Sequence, residues 1–178
     1  MAVTAIVFSS ILFAASLACL AWRQIASPCL AFVGLLVISF AKSQDGNPLL
    51  PINNNIIFGW LCMTVLVTVA TMLQPAAVRN TSKGIGYLTI GSVVGLAIGL
   101  LGFTFTNAVN LLYGIMIVCT AAGTFFGYLL YSNTPSGRGV ALASGNFFRY
   151  FLAKGFPVAL TIMQIGVVLT LIIAINKF

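Results

Sequence analysis

Residues able to perform acid–base or metal chemistry are nearly absent from this sequence. Its 178 residues include no histidine and one acidic residue, Asp45. A Ser-His-Asp triad, a carboxylate pair or a His-carboxylate metal site each needs groups that the chain lacks. Pumps driven by protons or sodium usually rely on carboxylates or histidines inside the membrane, so such ion coupling is also disfavoured. We therefore expect a protein that is not an enzyme and has no cofactor or metal site.

The four cysteines are the next candidates for reactive side chains. They lie in four different apolar segments, at Cys19, Cys29, Cys62 and Cys119, and no two form a Cys-x-x-Cys pair. This spacing favours neither a metal site nor a structural disulfide. We interpret all four as small hydrophobic residues.

Hydroxyl and amide groups supply most of the remaining polarity inside the apolar segments. Thr64, Thr68 and Thr71 follow one face of a predicted helix, and Gln164 is costly to bury in hydrocarbon without a partner. These four residues are candidates for lining a polar path across a membrane. The alternative is that the hydroxyls bond back to their own helices.

Composition indicates where the chain resides. Hydrophobic residues make up 61% of it and charged residues 5%, whereas about a quarter of a soluble domain is charged. The apolar runs are too long and too uniform for barrel strands. The sequence therefore predicts an all-α integral membrane protein, a single polytopic domain over residues 1–178 in contact with the lipid bilayer.

The number of crossings follows from the lengths of the apolar runs. A bilayer core of about 30 Å needs roughly 20 helical residues. The uncharged stretch 84–137 is too long for one helix, so we expect it to fold back near 104–107. The second run is short and either crosses with its flanks or is re-entrant, which would leave five crossings. The predicted bundle has about six helices, at residues 2–22, 27–41, 56–78, 85–103, 109–131 and 156–175.

Basic residues set the expected orientation. With six crossings, one side of the membrane carries Lys42 and Lys177 alone. The other side carries Arg23, Arg79, Lys83, Arg138, Arg149 and Lys154. By the positive-inside rule the second side is cytoplasmic, which places both termini and the Asp45 loop on the non-cytoplasmic side. The basic residues are scattered singly, so nucleic acid is not an expected partner.

Glycines at a spacing of four form the strongest local pattern. Gly91, Gly95 and Gly99 share one face of the predicted fourth helix, and Gly123 and Gly127 repeat the device on the fifth. Small residues at this spacing let two helix backbones approach closely. We expect these glycines either to pack the bundle internally or to form an interface with other membrane subunits or a second copy of the chain.

Aromatic and basic residues alternate in the segment that precedes the last predicted helix. Over residues 146–154 this pattern is typical of the boundary between hydrocarbon and headgroups. We expect Arg149 and Lys154 to contact lipid headgroups there.

Two functions from different classes fit these features. The first is a transport component, either a channel or carrier bundle or the membrane-embedded substrate-binding subunit of a transporter. The alternative is a structural or accessory subunit of a larger membrane complex. A polar cavity near the midplane of the membrane, lined by threonine or glutamine, would favour the first, and a dry glycine-packed interior with bare apolar flanks would favour the second.

Overall fold

The structure is a computed structural model that describes residues 2–22, 24–42, 48–49, 52–102 and 109–177. Over those residues the chain is helical, with an isolated β-bridge between Lys42 and Pro48. Four helical segments in this part are long and apolar enough to cross a membrane: Val3–Ala21, Asn54–Met72, Leu111–Ser132 and Phe147–Ile173. Arg23, the Asp45 loop and the predicted fold-back at 104–107 lie outside the described residues.

An apolar helix lies in each of the predicted runs. The helices are α1 Ala2–Trp22, α2 Ala26–Phe40, α3 Asn54–Met72, α4 Ala76–Arg79, α5 Ile85–Leu101, α6 Val109–Ser132, α7 Phe147–Tyr150 and α8 Phe156–Lys177. A π-helical turn, Phe151–Gly155, joins α7 to α8. At 15 residues α2 is about 22 Å long, shorter than the bilayer core.

The end of the third helix differs from the one predicted. The third helix ends at Met72 rather than at residue 78, because Pro75 cannot donate a backbone hydrogen bond and disfavours helical geometry at Gln74. Pro75 is instead the N-cap of the short helix α4. The last helix, α8, begins at Phe156 as predicted, and the π-helical turn joins it continuously to α7.

Helix α8 is the centre of the bundle. It contacts α1, α2, α3, α5 and α6. In the segment Phe147–Ile173, which contains most of α8, 72% of the most apolar stretch is buried, against 17% of the corresponding stretches in α1 and in α3. Hydrophobicity alone does not separate these helices, because lipid and protein core are both apolar. Three polar side chains of α8, Thr161, Gln164 and Thr170, are fully buried within the bundle.

The glycine pattern lies between α5 and α6. A Cβ atom on Gly95 would overlap the carbonyl oxygen of Cys119, and one on Gly123 would lie 2.9 Å from the Gly95 Cα. Gly91, Gly99 and Gly127 are equally tight against the facing backbone. These five glycines therefore pack two helices of the same chain against each other.

One end of the bundle collects three connections. Tyr150 Oη donates a 2.9 Å hydrogen bond to the carbonyl oxygen of Lys83, and the Lys154 amine reaches the carbonyls of Arg79 and Thr81. Gln24, from the α1–α2 connection, lines the same groove as Arg79. We call this the basic end; its described basic residues are Arg79, Lys83, Arg138, Arg149 and Lys154.

Three tyrosines fasten these connections to the bundle. The Tyr131 and Tyr150 rings stack with centroids 5.6 Å apart. Tyr128 Oη donates to the carbonyl of Val140 at 2.6 Å, just as Tyr150 Oη donates to Lys83. Gly84, whose φ is +83°, lies directly against the Tyr150 hydroxyl, where any side chain would collide. The end of the bundle that holds the candidate site is thus well packed.

Candidate binding groove at the basic end

A groove of about 730 Å³ opens between α2, the C-terminal part of α3 and α4. We call it the α2–α3 groove; it is lined by Gln24, Ile25, Ala26, Cys29, Thr68, Met72, Arg79 and Asn80. Its wall combines amide, hydroxyl, thiol and guanidinium groups with apolar surface. A cavity of this size with a few converging polar groups is typical of small-molecule sites.

The start of α2 fixes one wall of the groove. Ser27 Oγ donates a 2.8 Å hydrogen bond to the carbonyl of Ser16 on α1 and lies 2.9 Å from Thr161 Oγ1 on α8. These buried contacts hold the first turn of α2, and with it Gln24 and Cys29, against the central helix.

A thiol–hydroxyl contact links the two helices that form the groove. Cys29 Sγ lies 3.6 Å from Thr68 Oγ1, within hydrogen-bond distance for sulfur. Cys29 is exposed and Thr68 half-buried, so both side chains are accessible from the groove. The sequence predicts that Cys29 is a small hydrophobic residue, and the structure gives it an exposed position beside polar groups of the groove.

Gln24 lines the groove, and its side chain carries an unsatisfied acceptor. Its side chain is 4% exposed, and its Oε1 atom is buried without a hydrogen-bond partner among the described residues. Leaving such a group unpaired costs roughly 1–3 kcal/mol. A donor from a bound molecule would remove that cost.

Arg79, a half-buried residue, places a cationic side chain in the lining of the groove. A guanidinium carries five N–H donors. Its Nη1 donates to the Met72 carbonyl at 3.3 Å, a long bond that leaves most of the guanidinium's donor capacity for other acceptors. With one acidic residue in the whole sequence, the protein itself supplies little negative charge to neutralise it.

Lys154 holds the segment that carries Arg79. It was expected to contact lipid headgroups, and the structure instead buries its side chain. The side chain is fully buried, and its Nζ donates to the carbonyl oxygens of Arg79, at 2.8 Å, and of Thr81. The π-helical turn directs the amine inward, to the carbonyls at the end of α4. Arg149, by contrast, is exposed on α7.

The candidates for a polar path face three different surroundings. Gln164 Nε2 donates to Thr64 Oγ1 at 2.8 Å inside the core, while its own Oε1 has no partner among the described residues. Thr71 donates to the carbonyls of Val67 and Leu152. Thr68 alone of the four lines the α2–α3 groove.

A second cavity, of about 430 Å³, lies between α3, α6 and α8. It is apolar and is lined by Ile56, Gly59, Trp60, Met63, Tyr113, Ile117, Leu160 and Met163. We call it the apolar cavity. Its chemistry suits hydrocarbon, such as an acyl chain or an apolar side chain of a neighbouring helix.

Sequence reasoning missed Gln24, Arg79 and Asn80 as site residues. Each stands in a short connection, where a polar residue needs no special explanation. The available signal was topological: alternating crossings place the α1–α2 connection and the segment after α3 at the same end, so their polar residues can meet.

Comparisons with family models, with curated proteins and with solved structures found no match to this chain. Within the described residues, no three His, Cys, Asp or Glu side chains lie together as metal ligands would.

Proposed function

We propose that this chain is a non-catalytic membrane transport component that binds a small solute in the α2–α3 groove. The observation that carries the proposal is the groove itself. Its lining combines a cation at Arg79, an acceptor at Gln24 that has no partner among the described residues, and apolar side chains. Its groups donate and accept hydrogen bonds, which is what recognition of a solute requires.

The proposed topology has six crossings with the basic end in the cytoplasm. Successive long helices run in opposite directions, since the connections after α1, after α3 and after α6 meet at one end. That end carries five described basic residues. The positive-inside rule then places both termini and the Asp45 loop on the other side.

A carrier or substrate-binding subunit fits the interior better than an open channel does. The glycine contacts close the space between α5 and α6, and five helices surround α8. The Thr64–Gln164 pair is buried in that packed region rather than exposed to a pore. A solute bound in the groove would thus have to pass between α2 and α3, the two helices that form it.

An accessory subunit of a larger membrane complex is the second candidate. It is favoured by the apolar cavity, which is open beside α3 and can accept a hydrophobic group. The outer faces of α1 and α3 are also largely unburied within the chain. In this alternative a second membrane protein covers those faces, and the groove has no solute.

A ligand screen followed by an uptake assay tests the proposal. The full chain is purified in mild detergent, and its melting temperature is measured against a panel of small metabolites, since a bound ligand stabilises by RT ln(1 + [L]/Kd). Solutes that raise it are then assayed for uptake into proteoliposomes. We expect uptake to fall in Arg79→Gln and to persist in Arg138→Gln, which removes an exposed charge outside the groove. Stoichiometric copurification with a larger membrane protein, and no stabilising solute, would favour the accessory role instead.

A further inference from the structure

We infer that the α2–α3 groove takes an amphipathic anion: a phosphate or carboxylate at Arg79, with a hydroxyl or amine donor directed at Gln24. The inference rests on the proposed function and names the class of its ligand. Two independent observations support it: the Arg79 guanidinium lines the groove with one exposed hydrogen bond, and the buried Gln24 amide oxygen has no partner among the described residues.

The charge of the ligand follows from the surroundings of Arg79. A guanidinium matches the two oxygens of a carboxylate or phosphate in a bidentate geometry. Lys154, buried behind it, donates to the Arg79 carbonyl and adds a second positive charge close to the same segment. The net charge of the chain is +7, so an anion entering here is attracted rather than repelled.

The donor on the ligand follows from Gln24. Its Oε1 accepts hydrogen bonds and can be satisfied only by an N–H or O–H group. A simple anion such as inorganic phosphate at neutral pH has limited capacity to serve both walls. A molecule that carries an anionic group together with a hydroxyl or an amine serves Arg79 and Gln24 at once.

The apolar part of the ligand is inferred from the apolar residues that line the groove. Ile25, Ala26 and Met72 also line the groove and offer no hydrogen-bonding side chain. A short aliphatic backbone suits this surface. The volume of about 730 Å³ is that of a small-molecule site and also accommodates a lipid headgroup with its glycerol.

Two sources supply this chemistry. One is the headgroup of a phospholipid such as phosphatidylglycerol, whose phosphate and hydroxyls lie at the depth of a helix end. The other is a soluble compound such as glycerol 3-phosphate. The experiment compares the two sources directly.

Protection of Cys29 from a thiol reagent reports occupancy of the groove. Cys29 is exposed within it, whereas Cys62 is exposed on the outer face of α3 and is the internal control. The full chain is placed in phosphatidylcholine nanodiscs, with or without phosphatidylglycerol, and with glycerol 3-phosphate or glycerol in solution. Maleimide modification of each cysteine is followed by peptide mass spectrometry.

We expect slower modification of Cys29, but not of Cys62, with phosphatidylglycerol or with glycerol 3-phosphate, and no protection by glycerol. Loss of the charge-assisted bond in Arg79→Gln should weaken binding about tenfold or more. Arg79→Lys should retain part of the binding, and Arg138→Gln all of it. Gln24→Leu should lose protection without lowering the melting temperature, since it removes an unpaired buried oxygen.

The outcomes separate the inference from the proposed function. Protection by phosphatidylglycerol alone assigns a lipid, and protection by glycerol 3-phosphate alone assigns a soluble ligand. Absence of protection by both anions, or equal protection in wild type and Arg79→Gln, overturns the inference. If an uncharged solute is nevertheless taken up in an Arg79-dependent manner, the proposed transport function is supported and the anion ligand is not. If the anion binds and no solute is transported, the anion ligand is supported and the transport function is not.

Discussion

The Nζ atom of Lys154 lies 2.8 Å from the carbonyl oxygen of Arg79, a residue 75 positions earlier in the chain. This bond ties the π-helical turn before the central helix to the short helix that carries the groove's guanidinium. A side chain whose sequence context predicts a membrane-surface role therefore positions a wall of the candidate site.

Replacement of Lys154 tests that positioning role. Lys154→Met keeps the length of the side chain but leaves the carbonyls of Arg79 and Thr81 without this donor. We expect the free energy of unfolding to fall by about 1–3 kcal/mol, the cost of unsatisfied buried polar groups. Thermal unfolding in detergent measures it, with the exposed Arg149→Met as the control. Equal melting of the two variants would mean that the buried amine contributes nothing to stability.

The contact between α5 and α6 gives a matched pair of glycine substitutions. Gly95→Leu forces a side chain against the Cys119 carbonyl, whereas a Cβ on Gly86 of the same helix meets nothing within 4 Å. Overpacking typically costs about 1–3 kcal/mol, so Gly95→Leu should melt lower and Gly86→Leu should not. Similar melting of both variants would be incompatible with the close helix contact.

The sequence predicted the helices well because chain connectivity and apolar length determine them. It also predicted that the glycines make a close contact, since spacing alone puts them on one helix face. The direction of the Lys154 side chain was not predictable, because it depends on carbonyl groups of a distant segment. The groove was not predictable for the same reason. Gln24 and Arg79 line one groove only because two connections fold to the same end of the bundle.

Tyr150 offers a test of how firmly the basic end is held. Tyr150→Phe keeps the ring stacked on Tyr131 but removes the 2.9 Å hydrogen bond to the Lys83 carbonyl. We expect a loss of about 1 kcal/mol in unfolding free energy. Amide hydrogen exchange should rise in the segment around Lys83, and unchanged exchange there would show that the hydroxyl does not restrain it.

The six-crossing topology has its own test. Single cysteines are introduced next to Asp45 and next to Arg138 in a background without the native cysteines, and intact cells are treated with a membrane-impermeant thiol reagent. We expect modification at the first site only, because the proposed topology places the basic end in the cytoplasm. Modification at the second site alone would invert the orientation, and modification at both would refute the number of crossings.

The central claim is that the α2–α3 groove binds the solute that the protein moves. Its most direct test is uptake into proteoliposomes of a solute that stabilises the purified chain, compared between wild type, Arg79→Gln and Arg138→Gln. We expect wild-type uptake in Arg138→Gln and a loss of about tenfold or more in apparent affinity in Arg79→Gln. Equal uptake by all three proteins would contradict the assignment of the groove as the transport site.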